Sequence, residues 1–203
     1  MTLPFLPILT FDERRLSPSF GYLFDRRWLD PHESIVSILW KFVQANAVAG
    51  HVVASELARV AIDPYAGVDA CRDRLDMVRL KSVLGLPRKI LLEALIPAQR
   101  HRAVSPFLRY CSRCLGRGYH SVVHQFECVR SCPIHDQSLA TSCPDCGYQA
   151  PYRLTARLLE TPYRCADCRS RYGTRWPNVA RHLPMPMEDV IPITALRIGR
   201  CRF

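Results

Sequence analysis

Residues 111–168 read CSRCLGRGYHSVVHQFECVRSCPIHDQSLATSCPDCGYQAPYRLTARLLETPYRCADC and contain four short motifs of the metal-binding type. Each motif places two Cys or His side chains on either side of a two-residue gap. The four pairs are Cys111 and Cys114, Cys132 and His135, Cys143 and Cys146, and Cys165 and Cys168. Taken in chain order they form two sets of four ligands, with 17 and 18 residues between the pairs of each set. This spacing is typical of zinc ribbons.

The chemistry of Zn²⁺ accounts for the pattern. The ion prefers four thiolate or imidazole ligands in a tetrahedron, and a two-residue gap lets both ligands of a pair turn toward one point. The sequence therefore predicts two Zn²⁺ ions. One would be held by Cys111, Cys114, Cys132 and His135, and the other by Cys143, Cys146, Cys165 and Cys168. Because each set fills all four positions, we expect both sites to be structural and not catalytic.

Other roles for the cysteines stay open at this point. The pairs could form disulfides or redox Cys-x-x-Cys sites, but a thioredoxin-like motif needs one pair near a βαβ pattern and not four in succession. Cys71, Cys128 and Cys201 fall outside the two sets, and Cys128 lies close enough to Cys132 to be an alternative ligand. A chain with most of its cysteines in metal motifs favours the reducing cytoplasm.

The charge of the chain is concentrated in the same region. The full sequence has 28 Lys and Arg against 18 Asp and Glu, a net charge of +10. From Arg100 to His182 there are 13 Arg, no Lys and five acidic residues, so 13 − 5 = +8 of that charge lies there. Such a balance favours a polyanionic partner, DNA first, although a merely solubilising surface would look the same.

The N-terminal half has helical patterns. Residues 30–46 predict a helix with Asp30 as N-cap, Pro31 at the first helical position and an apolar stripe facing a core. A shorter helix is predicted over 54–62, ending at Asp63-Pro64. Residues 68–97 read as a helix, a turn at Gly85-Leu86-Pro87, and a second helix.

The pair of helices at 76–97 resembles a helix-turn-helix, since its turn is short and contains glycine. Arg88 and Lys89 would then stand at the front of the recognition helix, although many αα-corners never touch DNA. The predicted fold is a mainly α N-terminal domain (1–98) with this motif, a tandem zinc-finger domain (99–176), and a proline-rich C-terminal tail (177–203) with little regular structure.

The sequence lacks the motifs of several enzyme classes. The sequence has no Gly-x-x-x-x-Gly-Lys-Ser/Thr phosphate loop, no His-Glu-x-x-His and no Gly-x-Ser-x-Gly. No apolar run is long enough for a membrane span, so no membrane partner is expected. We therefore expect a non-enzymatic protein.

Four segments together resemble the TniQ family. They are PHESIVSILWKFVQAN (31–46), YCSRCL (110–115), CPIHDQSLATSCPDCG (132–147) and CADC (165–168). Their order and spacing match over roughly residues 30–170, and the block Cys-Pro-x-His-x-x-x-Leu-x-x-x-Cys-Pro-x-Cys-Gly is the most specific part.

The resemblance implies a function in transposition. TniQ proteins and their TnsD relatives are adaptors that select a target by binding DNA or a CRISPR effector complex, and then recruit an AAA+ ATPase that brings the transposase. They have a helical part with a helix-turn-helix and two zinc fingers, which here are the two ligand sets above.

This chain departs from the family in two places. Many members have an Arg and a Trp between the first two motifs, whereas GRGYHSVVHQFECVR (116–130) has no Trp. Many members also continue into a long helical C-terminal half, which the resemblance does not cover.

The residues proposed to contact DNA are exclusively cationic. They are Arg88, Lys89, Arg113, Arg117, Arg169, Arg171 and Arg175. The second hypothesis is a zinc-containing helix-turn-helix transcription regulator, which would act on a discrete operator as a symmetric dimer. A metalloenzyme or redox protein comes third, because it would need an open zinc position or a reactive thiol.

Overall fold

The computed structural model describes residues 22–97, 103–173, 175, 177 and 182–198. Most of this part is helical. The helices are α1 (Ile35–Asn46), α2 (Gly50–Leu57), α3 (Met77–Leu84), α4 (Arg88–Ala94), α5 (Ser112–Gly116), α6 (Ala156–Glu160) and α7 (Met187–Ile198). Two short 3₁₀ turns cover Arg26–Trp28 and Val122–Gln125. The strands β1 (Val68–Asp69) and β2 (Arg153–Leu154) form a small antiparallel sheet.

The longest buried helix, α1, begins later than the sequence predicts. Its N-cap is Ser34, whose hydroxyl accepts a hydrogen bond from Ser37 N, and not Asp30. The reason lies in the backbone, since His32 has a positive φ of 56° and cannot continue a right-handed helix. The predicted C-terminal end is confirmed, because Asn46 is the last helical residue and Ala47 is left-handed.

Glu33 forms a buried ion pair with a lysine of α1. Its carboxylate lies 2.7 Å from Lys41 Nζ, and both side chains are almost fully buried. Ser37 Oγ and the backbone N–H of Asp30 also donate to it. Because every charged atom has partners, the pair can be buried beneath α1.

Two other predictions of N-terminal structure need correction. The second helix runs over Gly50–Leu57 and not over 54–62, because Ala58 leaves the helix to bridge with Leu75. Residues 68–76 are a strand and turns and not the start of a helix. The helix after them, α3, has Asp76 as its N-cap, whose carboxylate accepts from Val78 N and Arg79 N.

The predicted turn between α3 and α4 is present. Gly85 closes α3 in the left-handed conformation with φ 62°, and its N–H donates to Lys81 O. Pro87 then precedes α4, which has seven residues. The chain thus folds as two helices joined by a three-residue connection.

Both halves of the chain contribute to one hydrophobic core. Trp40 Nε1 of α1 donates to Leu158 O of α6 at 2.7 Å. Val68 of β1 pairs with Leu154 of β2. A Cβ on Gly50 would lie 2.5 Å from Ala156 O, so α2 and α6 touch backbone to backbone. The domain boundary at 98/99 stays a prediction, but the two halves are packed together.

The C-terminal segment corrects the expectation of little regular structure. Residues 187–198 form α7 although Pro192 lies inside it. Ile193 is fully buried, and the Arg197 guanidinium donates to Glu93 O and Leu95 O at the end of α4. Burial of its apolar face thus outweighs the hydrogen bond that the proline removes. The prolines and the lack of a sustained period predict an extended arm over residues 1–29, of which 1–21 lie outside the described residues.

His120 joins the start of α1 to the metal-binding half. Its carbonyl accepts from Ser34 N at 2.7 Å, Ser34 Oγ lies 2.7 Å from its Nδ1, and its Nε2 lies 2.8 Å from Arg109 O. The carbonyl can only accept, so Nε2 carries the proton and Nδ1 accepts from Ser34. Burial of the ring lowers its pKa to about 4, so at neutral pH it is an uncharged imidazole.

We expect the stability of the protein to fall as the pH drops from about 6.5 to about 4. The unfolded His120 takes up a proton near pH 6.5, whereas the folded ring stays neutral until about pH 4. The loss attributable to this residue is at most about 3 kcal/mol. Urea unfolding of zinc-loaded protein at several pH values would measure it, with His120→Gln as the comparison. Equal pH dependence in both proteins would contradict the assignment, since zinc loss affects both alike.

Candidate metal centres

The eight predicted ligands come together as two clusters. Within each cluster, one ligand atom of each residue lies within 4.8 Å of the others. The first cluster is Cys111, Cys114, Cys132 and His135, and the second is Cys143, Cys146, Cys165 and Cys168. The grouping is the one that the sequence predicts.

The distances fit ligands around an ion and not disulfides. Cys114 Sγ and Cys132 Sγ are 3.6 Å apart, and so are the sulfurs of Cys143 and Cys168. A disulfide would bring sulfurs to about 2.05 Å. A tetrahedron with Zn–S distances of about 2.3 Å separates its sulfurs by about 3.8 Å. Each cluster can therefore hold one metal ion, and all of its cysteines are free thiols.

The histidine of the first cluster points its Nδ1 at the sulfurs. This atom lies 3.4 Å from Cys111 Sγ and 3.3 Å from Cys114 Sγ. Three thiolates and an imidazole nitrogen form a ligand set that Zn²⁺ prefers. Gln137 Oε1 lies 3.5 Å from Cys111 Sγ, at the edge of the cluster.

Three of the four ligand pairs share one backbone conformation. The carbonyl of the first cysteine accepts from the N–H four residues on, and its N–H donates to the carbonyl five residues on. The residue four positions on is left-handed in each turn. It is Asp136 after Cys132, Gly147 after Cys143 and Arg169 after Cys165. This turn points both ligands of a pair toward the same point.

The remaining pair is built on a helix. Cys111 is the N-cap of α5, and Cys114 lies in its first turn, so both sulfurs face the same side. The N–H groups of Arg117 and Tyr119 both donate to Cys114 O. The first cluster thus combines a helical pair with a turn pair.

The two clusters differ in exposure. Cys111, Cys114 and Cys132 are buried, whereas Cys146 and Cys168 of the second cluster are exposed. Hydrogen bonds from Ser170 lower the pKa of the Cys168 thiol to about 6, which favours the thiolate that a metal needs. A metal in the second cluster would therefore be the more accessible of the two.

The two metal units pack directly on each other. The rings of Tyr110 and Tyr172 lie 4.5 Å apart, and Tyr163 Oη donates to Gly118 O. A Cβ on Gly173 would lie 2.4 Å from Gly116 N, so this close approach requires glycine. The units are thus held in one orientation.

A buried histidine beside the first cluster was not singled out by sequence reasoning. His124 is fully buried, and neither of its ring nitrogens has a hydrogen-bond partner among the described residues. Burial lowers its pKa to about 3, so the ring is neutral. Its position in GRGYHSVVHQF gives no periodic signal that would have revealed this.

Of the cysteines outside the clusters, Cys71 is a buried free thiol and Cys128 forms a disulfide, so Cys128 is not a ligand.

Six of the seven predicted DNA contacts have exposed side chains. They are Arg88 and Lys89 at the start of α4, Arg113 in α5, and Arg169, Arg171 and Arg175 after the last ligand pair. Arg117 is placed differently. Its guanidinium donates to Leu183 O and lies 3.6 Å from the buried Asp30 and 3.9 Å from Asp189. This placement makes Arg117 an intramolecular tether for the segment that leads into α7.

Comparison with known proteins adds no relative. No protein-family model matches the chain, and no curated protein matches its sequence. Within the described residues, no helix has the length and apolar character that crossing a bilayer requires.

We expect two Zn²⁺ ions per chain, released by a chromogenic chelator in a fast and a slow phase. The fast phase should come from the second cluster, because two of its ligands are exposed. Cys168→Ser should remove the fast phase and Cys114→Ser the slow one, as measured by elemental analysis and absorbance. Cys71→Ala, a buried cysteine outside both clusters, should keep two ions. The assignment would be contradicted if the protein contained no bound zinc. It would also be contradicted if zinc were released in a single phase that disappears in both serine variants.

Gly147→Ala should weaken metal binding at the second cluster. Gly147 has φ 75°, and a Cβ there would meet no atom within 4 Å, so the cost comes from the left-handed backbone alone. That cost is about 1 kcal/mol, or roughly a fivefold loss of affinity. Competition with a metal indicator would measure it. Arg169→Gly, at the equivalent position of the last turn, should not weaken binding. If Gly147→Ala leaves the affinity unchanged, the turn does not position the ligands.

Proposed function

We propose that the protein is a non-enzymatic adaptor for target-site selection in transposition, stabilised by two Zn²⁺ ions. In this function it binds DNA, or a targeting complex such as a CRISPR effector, and recruits an AAA+ ATPase and through it the transposase. The observation that carries the proposal is the pair of four-ligand clusters built from the block at 132–147. The resemblance to the TniQ family rests on the same residues.

The completeness of the clusters supports an architectural function for the metals. Each ion would have four protein ligands and no open position for water or substrate. Such ions contribute folding free energy and no chemistry of their own. A metal-dependent hydrolase would need three protein ligands and a free position, so the complete ligand sets favour an adaptor over a metalloenzyme.

The distribution of exposed cations supports DNA as a partner. Arg169, Arg171 and Arg175 follow one another on the surface of the second metal unit. Arg88 and Lys89 are exposed at the start of α4, which follows α3 after a three-residue turn. We propose that α3 and α4 act as a helix-turn-helix and that the arginines contact phosphates. A cytoplasmic location and assembly into an oligomer belong to the same proposal.

Neutralising these cations should weaken DNA binding in a salt-dependent way. The triple variant Arg169→Ala, Arg171→Ala and Arg175→Ala should lower the slope of log affinity against log salt by about one for each phosphate that is no longer neutralised. Fluorescence anisotropy with duplex DNA at several salt concentrations would measure the slope. Arg130→Ala, an exposed arginine of the first metal unit, serves as the matched control. An unchanged slope in the triple variant would remove these residues from the interface.

Recruitment of the ATPase is tested separately. Zinc-loaded protein should capture the AAA+ ATPase encoded beside it, and target DNA should increase the capture. Failure to bind the ATPase, with or without DNA, would count against the adaptor function even if DNA binding is present.

A second candidate function is a zinc-containing transcription regulator. The observation that favours it is the tight turn before α4, whose first two residues, Arg88 and Lys89, are exposed. A regulator would protect a discrete operator with half-sites about one helical turn apart, whereas an adaptor would not need such symmetry. Footprinting on the DNA upstream of its own gene separates the two functions.

A further inference from the structure

A recess of about 400 Å³ lies where the helical half meets the second metal unit. Tyr65 reaches it from the loop after α2, and Tyr148 from the turn that follows Cys143 and Cys146. Arg153 and Arg157 line it from β2 and α6, and Ala166 lies between the last two ligands. Its volume falls within the range of small-molecule and cofactor sites.

The two tyrosines offer an aromatic surface of an unusual kind. The side chain of Tyr65 is 61% exposed, although a large ring would normally be buried. Tyr148 is half-buried, and its carbonyl accepts from Cys143 N at 2.8 Å, so the metal turn fixes its backbone. An exposed ring at the edge of a recess is suited to stacking with a flat ligand.

The two arginines are not equivalent. Arg153 is held in place, since its guanidinium donates to Gly67 O at 2.9 Å and lies 3.6 Å from Asp69 Oδ1. Arg157 is exposed and has no ion-pair partner among the described residues. Its charge is therefore available to an anionic group in the recess, and a phosphate is the group that a guanidinium fits well.

A second recess shares Arg153 with the first. It has a volume of about 390 Å³, and Gly67 and Val68 line it beside Arg153. Its charged lining residues are Arg59, Arg74 and Arg153 against Asp69 and Asp73, so cations outnumber acids by three to two. The two recesses, which together we call the trough, are lined by four arginines against two aspartates.

We propose that this trough binds a single-stranded segment of nucleic acid, with one base stacked on Tyr65 and a phosphate on Arg157. A base inside a duplex is covered on both faces by the neighbouring base pairs and cannot enter such a recess. An unpaired base can stack on an aromatic side chain. Two recesses that share Arg153 and have a net positive lining favour a strand over a free nucleotide. This inference does not depend on duplex binding by α4 or by the arginines after Cys168.

The test uses the zinc-loaded full chain and fluorescein-labelled ten-nucleotide strands of mixed sequence, one of DNA and one of RNA. Tyr65→Ala and Arg157→Ala should each weaken binding about tenfold, as measured by anisotropy. Tyr65→Phe keeps the ring and should bind within about twofold of the wild type. Arg26→Ala removes the same charge from an exposed site outside the trough. This variant should also bind within about twofold of the wild type. Thermal unfolding of each variant checks that the fold is intact.

The outcomes separate the alternatives. Binding of either strand with these variant effects supports the trough, and the tighter strand identifies the sugar that it prefers. Equal loss in Arg26→Ala would overturn the proposal, because binding would then follow net charge alone. It would also be overturned if a hairpin duplex, or a mononucleotide at equal concentration, displaced the strand as well as the unlabelled strand does. A protein that fails to bind duplex DNA but binds the strand would contradict only the duplex contacts proposed above for α4 and for the arginines after Cys168.

Discussion

The structure depends on one requirement: in each of two clusters, four ligands must converge on one point. Sulfurs 3.6 Å apart can be neither disulfide-bonded nor unrelated, and a tetrahedral ion accounts for that separation. The requirement also closes two loops of the chain, because each set joins pairs that are 17 or 18 residues apart. Tyr119 and Phe126 lie in the first loop and are buried, so the loop becomes part of the core. In a chain with short helices, these closures supply order that helix propensity alone would not give.

The helical half is built onto the metal-binding half and not merely linked to it. His120 binds the start of α1 through its carbonyl and its ring, and Trp40 reaches the backbone of α6. Residues 121 and 122 also donate to His32 O, and Ser121 bridges to Glu33, so the residues before Ile35 are held outside the helix. Loss of either metal would therefore destabilise α1 as well as the turns that hold the ion.

The arginines of the basic region divide into those that hold the fold and those that face solvent. Arg117 reaches the buried Asp30 and the segment before α7, and Arg109 donates to Phe126 O and Val129 O. Arg113 and Arg169 are exposed and have no such buried anchor in the part of the chain that the structure describes. A count of charges thus overstates the surface available to a polyanion. It also misses the trough beside Tyr65, which combines residues from distant parts of the chain.

The sequence by itself determined the two ligand sets, the end of α1 at Asn46 and the Gly85 turn. These features are local, because ligand type, spacing and the need for a left-handed glycine are written in a few neighbouring residues. Only the tertiary structure decided the start of α1, the burial of Glu33 with Lys41, and the formation of α7 across Pro192. Each of these rests on partners far away in the chain, whose burial outweighs the local preference of the segment. An N-capping acid predicts where a helix begins, and a proline predicts where it ends, only if no distant contact competes with these local preferences.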